Sequence, residues 1–439
     1  MNYLKNKFPE FSLFNLPLFL FAFFISISNS ISAIIIIFFF ISCLFIEKKS
    51  ENFKKVLLNP INKAIFLFYL YIIISLIWSD NNFTFTSINK YSIILLIPLL
   101  DFLNYTDGVK KTSAFFFVSG ILFNIIYSFL IAGLKQLGVI NNFFLLKHDH
   151  YQNEFFFRGF IDHSNLSIMI SFSIFILLTY LFSIKKTKYG FLKINIYVIV
   201  FLLIFFLFNS YGRTGLFTLL ILFPVFLIMY DPPKKKYIIL CSTLFLISFL
   251  FISSPFKNRM QNTFNFQMDT RTNYEKIQED AIYMVDSLGE NSSYWIQKIK
   301  DDKDWENQVI QKRKKSSTGK RYSIWANYKA PIFENILIGT GVGGVKKITH
   351  ENNIKQPHNN YIYIITEFGI IGLILFLLIF YNQLKIFFSG NRKKVLKLIF
   401  PLLILTCMII NDYLIIYNTA CFFCLFTYLL FTKYQTNLN

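Results

Sequence analysis

The chain has 439 residues, of which 54% are hydrophobic and 15% are charged, and its mean hydropathy is +0.49. A soluble domain of this size would carry more charge, so the composition excludes an ordinary soluble globular protein. Apolar runs of roughly 17–25 residues recur along the chain, which is the length that an α-helix needs to cross a bilayer. The sequence therefore predicts an all-α polytopic membrane protein.

The first apolar stretch, Phe11–Ile46, is too long for one span and for the core of a cleaved signal peptide. The polar residues Ser28–Ser30 divide it into a predicted helical hairpin. With this hairpin, about twelve transmembrane helices are predicted, nine before a long polar segment and three after it. The remaining spans are expected near 64–79, 88–103, 112–134, 163–184, 194–209, 215–230, 237–252, 360–381, 396–411 and 413–431.

Lys and Arg concentrate in alternate short segments, for example Lys48–Lys63, Lys185–Lys193 and Lys385–Lys397. By the positive-inside rule these segments and both termini are cytoplasmic. The formal net charge of +20 then reflects topology, so no nucleic acid is expected as a partner. The predicted domains are 1–252 for nine spans, 253–359 for an extracytoplasmic loop region with short helices, and 360–439 for three spans and a cytoplasmic tail.

Three arginines, Arg158, Arg213 and Arg321, stand on the predicted outer side, where basic residues are scarce. Arg158 precedes a span, where either a headgroup contact or a ligand contact would explain it. Arg213 lies in the tight turn NSYGRTG between two spans, where a cation should point into a protein cavity or at an anion. Because a guanidinium offers a planar fork of donors, we expect these arginines to bind a lipid-linked diphosphate.

His358 follows a proline, and either Asn359 or Asn360 can cap the helix that begins after it. The positive end of a helix dipole favours the neutral imidazole, which can accept a proton at neutral pH. His358 is therefore the predicted general base. Glu367 lies two helical turns farther on, and an acid at that depth needs a partner, for which Arg213 is the candidate.

The run Gly339, Gly341 and Gly344 matches GxGxxG. It lacks a βαβ context and no Lys-Ser/Thr follows, so a nucleotide site is not predicted. A flexible turn that offers backbone amides to an anion is the favoured interpretation.

The His and Cys residues do not predict a metal site or a cofactor. The spacing of His148, His150 and His163 is poor for metal ligands. Cys421 and Cys424 form a CxxC within an apolar span, where packing is the favoured explanation.

Three segments now combine: RYSIWANYKAPIFENILIGTGVGG from Arg321, PHNNYIYIITEFGIIG from Pro357, and NSYGRTG upstream. With the span pattern and the long outer loop, they resemble the O-antigen ligase and polymerase superfamily, the integral-membrane glycosyltransferases of surface polysaccharide assembly. The resemblance implies that His358 acts as general base on the acceptor hydroxyl. It implies a diphosphate site formed by Arg213 and Arg321 with Arg158, and supporting roles for Asn359, Tyr361, Gly339, Gly341 and Glu367.

The resemblance further implies a protein of the bacterial inner membrane that moves a glycan from an undecaprenyl diphosphate carrier. The acceptor would be lipid A-core or a similar glycan on the outer face of the membrane. Transfer would be a metal-independent inverting displacement. The segment Tyr274–Lys315 matches nothing recognised and is a candidate for fitting the acceptor.

Two alternatives remain open. A repeat-unit polymerase would share the pattern, although the R-x10-G motif of some polymerase outer loops is absent, which favours a ligase. A transporter for lipid-linked sugars should show charged or broken helices near the bilayer midplane. Here the polar residues of interest cluster at the outer edge.

Overall fold

The computed structural model describes residues 13–46, 49–79, 84–139, 159–183, 190–210, 212–230, 321, 324–351, 354–389 and 395–432. Within these ranges the regular secondary structure is helical, and no strand occurs among them. The fold is therefore all-α in the part described, as the sequence predicts.

The helices follow the apolar stretches of the sequence. In chain order they are α1 Leu16–Phe24, α2 Asn29–Leu44, α3 Lys49–Leu58, α4 Pro60–Ile74, α5 Thr84–Ser92, α6 Leu96–Leu103, α7 Asp107–Gln136, α8 His163–Ser183, α9 Gly190–Asn209, α10 Arg213–Tyr230, α11 Lys329–Glu334, α12 Gly344–Glu351, α13 Asn360–Ser389, α14 Leu396–Ile410 and α15 Tyr417–Phe431. The 3₁₀ segment Ser75–Trp78 extends α4, and Ile93–Leu95 joins α5 to α6.

Among the described residues, five helical runs are long and apolar enough to cross a membrane: Pro60–Trp78, Thr84–Leu103, Asp107–Gln136, His163–Ser183 and Asn360–Ser389. Shorter apolar helices of 10–17 residues occupy most of the other predicted positions. The predicted span 237–252 lies outside the described residues. The total of twelve spans and the placement of the long loop therefore stay predictions.

The predicted N-terminal hairpin is visible as two packed helices, α1 and α2. The chain leaves helical geometry before Ser28, whose side chain accepts a hydrogen bond from the N–H of Ile31 at 3.3 Å and so caps α2. A serine at this position supplies the acceptor that the first turn of a helix lacks.

The chain divides into two compact units, one of Met1–Leu250 with Tyr328–Asn439 and one of Phe251–Asn327. Residues 328–359, the last part of the predicted outer loop, thus belong to the same unit as the apolar helices. The domain boundaries derived from the sequence stay a prediction.

Aromatic side chains pack the centre of the first unit around α15. The ring of Phe426 lies 4.7 Å from that of Phe172 in α8 and 4.8 Å from that of Phe117 in α7, between ring centroids. Phe422 and Phe400 complete the cluster. Lipid is as apolar as these rings, so close packing and not exclusion from water holds such helices together.

Small residues let α8 and α10 approach closely. The hydroxyl of Ser171 donates to the carbonyl of Gly215 at 2.7 Å, and the N–H of Gly215 donates to Ser167 Oγ at 3.1 Å. A Cβ on Gly215 would lie 2.1 Å from the Ser167 carbonyl oxygen. This contact fixes the start of α10, where Arg213 stands.

Candidate active site

Helix α13 is broken at Gly369, which has φ +63° and ψ −166°. The break frees backbone groups that an unbroken helix would pair internally. The segment 336–341 pairs four of them. In two of these bonds the segment donates to α13: the N–H of Thr340 to the carbonyl of Thr366 (2.9 Å) and the N–H of Gly341 to the carbonyl of Glu367 (2.9 Å). In the other two α13 donates to the segment: the N–H of Ile370 to the carbonyl of Ile336 (2.9 Å) and the N–H of Ile371 to the carbonyl of Leu337 (3.2 Å).

This docking explains why the sequence is rich in glycine here. Gly339 has φ +72°, and a Cβ on it would lie 2.4 Å from the backbone of Glu367. A Cβ on Gly369 would lie 2.3 Å from the carbonyl oxygen of Leu337. Only glycine allows both the left-handed backbone and the close approach. The glycine turn thus anchors the segment 336–341 in α13.

Glu367 is completely buried next to this turn. Its Oε2 accepts a hydrogen bond from the hydroxyl of Tyr91 at 2.8 Å, and its Oε1 accepts one from the N–H of Val345 at 3.3 Å. The backbone amide of Gly343 also faces the carboxylate. Backbone amides at the end of the glycine turn thus face a side chain of the same protein.

These contacts correct the partner expected for Glu367. Its carboxylate pairs with Tyr91 and with the start of α12, and Arg213 is not among its partners. The sequence could not indicate Tyr91, which lies 276 residues away along the chain. A buried carboxylate requires such donors, because water does not reach it.

His358 adopts a left-handed backbone with φ +48° immediately before α13. The helix is capped by Asn359, whose Oδ1 accepts from the N–H of Tyr361 at 2.9 Å. Asn360, the other candidate cap, instead accepts from the N–H of Leu414 at 3.2 Å. The loop between α14 and α15 is thereby held against the start of α13.

The imidazole of His358 contacts that loop. Its Nδ1 lies 3.2 Å from Asn411 Oδ1 and 3.7 Å from a carboxylate oxygen of Asp412. Asn411 Oδ1 also accepts from the N–H of Asp412 at 3.0 Å, so this atom is an acceptor. Nδ1 therefore carries the proton in the neutral ring, and the lone pair lies on Nε2.

Asp412 is a candidate site residue that the sequence analysis did not name. Its side chain is 8% exposed, against 43% for His358. The available signal was the polar pair Asn411–Asp412, where the predicted spans 396–411 and 413–431 meet. Its contact with His358 depends on how α13 and α14 pack.

Arg213, the first residue of α10, is exposed. Its neighbour Thr214 and the loop residue Asn411 both face the phenol of Tyr413. Burial raises the pKa of that phenol well above its ordinary value, so Tyr413 stays neutral. Because Asn411 also contacts His358, one loop links the start of α10 to His358. Arg213 and His358 thus lie at the same end of the helix bundle.

The remaining predicted residues are placed as follows. Tyr361 donates from its hydroxyl to the carbonyl of Leu405 at 3.0 Å and ties α13 to α14. Arg321 is half-buried and belongs to the second compact unit, so its role beside His358 stays a prediction. Arg158, His148 and His150 lie outside the described residues.

No group of three or more His, Cys, Asp or Glu that could hold a metal ion occurs in the described part of the chain. Cys421 and Cys424 are buried free thiols in α15.

Comparison with known protein families adds one finding. Residues 197–377 match the family described as O-antigen ligase, a range that includes Arg213, Arg321 and His358 and ends before Asp412. No curated protein matches the chain. The match confirms the resemblance to the O-antigen ligase superfamily. Residues 197–377 are therefore similar to a family of ligase- or polymerase-type enzymes, and the apolar helices give the chain the character of a membrane protein.

Proposed function

We propose that this protein is a ligase that moves a glycan from undecaprenyl diphosphate to lipid A-core or a similar acceptor. The reaction takes place on the outer face of the bacterial inner membrane. The observation that carries the proposal is the contact of His358 Nδ1 with Asn411 and Asp412, at the end of the bundle where Arg213 stands. The family match and the apolar helices support it.

His358 acts as the general base. With its Nδ1 proton held by Asn411 and Asp412, Nε2 accepts the proton of the acceptor hydroxyl. The Asp412 carboxylate then stabilises the imidazolium that forms, as an acid does in other His–Asp pairs. Asp412 is a positioning residue in this scheme, since it acts through His358.

The transfer is a single displacement. The acceptor oxygen forms a bond to the anomeric carbon of the glycan, while the bond from that carbon to the diphosphate oxygen breaks. Undecaprenyl diphosphate leaves with the electron pair, and the hydroxyl proton remains on His358. Attack opposite the leaving group inverts the anomeric carbon.

The arginines supply charge for the leaving group. Arg213 and Arg321, with Arg158, bind the diphosphate oxygens through charge-assisted hydrogen bonds. Diphosphate is already a good leaving group, so a base, positive charge and alignment suffice for catalysis.

The topology of the proposal follows the distribution of Lys and Arg. Both termini face the cytoplasm, and the end that carries His358 and Arg213 faces outward. The lipid carrier then presents its diphosphate at the outer membrane surface, where these side chains meet it.

A polymerase of the same fold is the alternative within the superfamily. Its acceptor would be a second lipid-linked repeat unit in place of lipid A-core. A transporter is less well supported. The break of α13 at Gly369 resembles the broken helices of transporters, but the segment 336–341 already pairs the freed backbone groups.

The test is complementation of a deletion strain with His358→Ala, Arg213→Lys and the unaltered chain. We expect loss of transfer in both variants, since Lys lacks the planar fork of Arg, with normal amounts of membrane-inserted protein. Lys355→Gln, on an exposed outer residue, is the control. Full activity of His358→Ala would remove His358 as the base.

The same strain separates the two enzymes. Loss of all polymer from the acceptor, with accumulation of lipid-linked chains, indicates a ligase. A single repeat still attached to the acceptor indicates a polymerase.

A further inference from the structure

A second group of polar side chains lies beside the loop 411–416. Lys90, in α5, is half-buried and interacts electrostatically with Lys346, Glu367 and Asp412. In the described ranges, no hydrogen bond or ion pair within 4 Å reaches its ammonium group. A half-buried cation without a close acceptor retains most of its capacity to bind an anion.

Lys90 shares a pocket with Asn360. Asn360 is completely buried, and its Nδ2 has no hydrogen-bond partner in the described part of the chain. Its Oδ1 is used by the N–H of Leu414, so the amide donors are the atoms left over. The rest of the pocket is largely apolar, with Phe68, Ile364, Phe376, Leu414 and Phe423 in its wall.

The composition of this pocket selects a class of ligand. Its polar end offers an ammonium group and an amide NH₂, which are donors, and the hydroxyl of Tyr91 is already used by Glu367. Both groups are donors and suit an anion, and the carboxylates of Glu367 and Asp412 already act on Lys90. The free volume is only about 30 Å³, about that of one water molecule, so the pocket admits an anionic group such as the phosphate oxygens of a lipid, and not its hydrocarbon chain.

Lys346 adds a second positive charge near Lys90. Its ammonium donates to Thr86 Oγ1 at 2.7 Å, and Thr86 lies one helical turn before Lys90 in α5.

The pocket and the start of α10, where Arg213 stands, both contact the loop 411–416. Leu414 lines the pocket, whereas Tyr413 faces Thr214 beside Arg213. Arg213 begins α10, which packs against α14, whereas Lys90 lies in α5, which packs against α4. The 3₁₀ segment Ile93–Leu95 that follows α5 packs against α15. A displacement reaction requires the nucleophile and the leaving group on opposite sides of the reacting carbon. If the donor diphosphate lies at Arg213, the pocket is on the acceptor side.

We propose that Lys90 and Asn360 form a subsite that binds the phosphate of a lipid-borne acceptor. This inference rests on the proposed function, because it assigns the second substrate of the same reaction. The phosphate can come from a phosphorylated glycolipid such as lipid A, or from a second polyprenyl-linked glycan. Both kinds of lipid present a phosphate, and the lipid-binding experiment distinguishes between them.

The direct test is lipid binding by the purified full-length protein in a neutral detergent. The probes are diphosphoryl lipid A, undecaprenyl phosphate and, as a bulk phospholipid, phosphatidylglycerol, and the readout is native mass spectrometry. We expect Lys90→Gln to weaken one of the first two at least about tenfold, the effect of losing one charged hydrogen bond. Lys90→Arg should restore binding, and Lys355→Gln, on an exposed outer lysine, should not change it.

The outcomes decide the inference. Selective loss of lipid A binding identifies a phosphorylated glycolipid acceptor, and selective loss of undecaprenyl phosphate binding identifies a lipid-linked glycan. Equal binding by Lys90→Gln and Lys355→Gln for all probes overturns the subsite. So does a loss confined to phosphatidylglycerol, which would mean a general lipid contact.

A kinetic assay separates this inference from the proposed function. Lys90→Gln should raise the KM for the acceptor at least about tenfold and leave the KM for the donor unchanged. An unchanged acceptor KM overturns the subsite even if His358→Ala is inactive. An active His358→Ala contradicts the proposed base, while the binding experiment still decides the role of Lys90.

Discussion

The carboxylate of Asp412 lies 3.7 Å from Nδ1 of His358, although 53 residues separate the two in the chain. The acid is nearly buried, while the imidazole keeps an exposed edge. A fixed anion behind a ring that faces outward is the arrangement that a general base requires.

The first prediction concerns this pair. Asp412→Asn should lower the transfer rate about 10²–10⁴-fold, because a neutral amide cannot stabilise the imidazolium. The KM for the donor should stay the same, and the pH profile of kcat should change. Radiolabelled glycan transfer in membranes measures the effect.

Glu351→Gln is the matched control for Asp412→Asn, since Glu351 is an exposed acid of α12. It should retain full activity. If Asp412→Asn kept the normal rate and pH profile, the His–Asp pair would be structural only.

A second prediction separates structure from catalysis at Glu367. Glu367→Ala removes the acceptor for Tyr91 and for the N–H of Val345. Each donor left unsatisfied should cost about 1–3 kcal/mol of stability. The melting temperature of the purified protein in detergent should therefore fall clearly.

Glu367→Gln keeps an acceptor oxygen at this position and should lose less stability than Glu367→Ala. The transfer activity of Glu367→Gln should fall only as far as its loss of stability explains. An inactive Glu367→Gln with the melting temperature of the unaltered protein would show that Glu367 takes part in the chemistry.

The third prediction tests the docking of the glycine turn. Gly339→Ala and Gly369→Ala each place a methyl group within 2.4 Å of backbone atoms at a positive φ. Each should cost at least about 1–3 kcal/mol from backbone strain alone. Thermal denaturation followed by circular dichroism measures the loss.

Gly133→Ala provides the comparison for these variants. Gly133 lies in α7, and nothing stands within 4 Å of a Cβ added there. This substitution should be neutral or stabilise by about 0.5–1 kcal/mol. Equal behaviour of the three alanine variants would contradict the proposed docking.

The fourth prediction concerns the support of Arg213. In Gly215→Ala the new methyl group would lie 2.1 Å from the carbonyl oxygen of Ser167, so α10 must move away from α8. Because α10 begins at Arg213, donor affinity should fall along with stability. Titration with the lipid-linked donor measures the first effect.

A finer comparison uses two serines of α8. Both Ser171 and Ser173 bond within their own helix, but only Ser171 also reaches the Gly215 carbonyl. Ser171→Ala should destabilise more than Ser173→Ala, by roughly 0.6 kcal/mol. Equal melting temperatures would contradict a contribution from this interhelical bond.

The sequence by itself located the apolar helices and the residues beside their ends. A span needs only a run of apolar residues, so its position is a local property of the chain. The helix start after His358 was likewise predictable, because it depends on a few neighbouring residues, although the choice between Asn359 and Asn360 as cap needed the structure. The family resemblance rested on the same local segments.

The partners of these residues were decided only by the tertiary structure. Tyr91 beside Glu367, Asp412 beside His358, and the glycine turn inserted at Gly369 all join distant parts of the chain. Hydropathy gives every span nearly the same apolar surface, so it does not specify which helices meet. Small residues, broken helices and buried hydrogen bonds specify it, and they act only once the helices are packed.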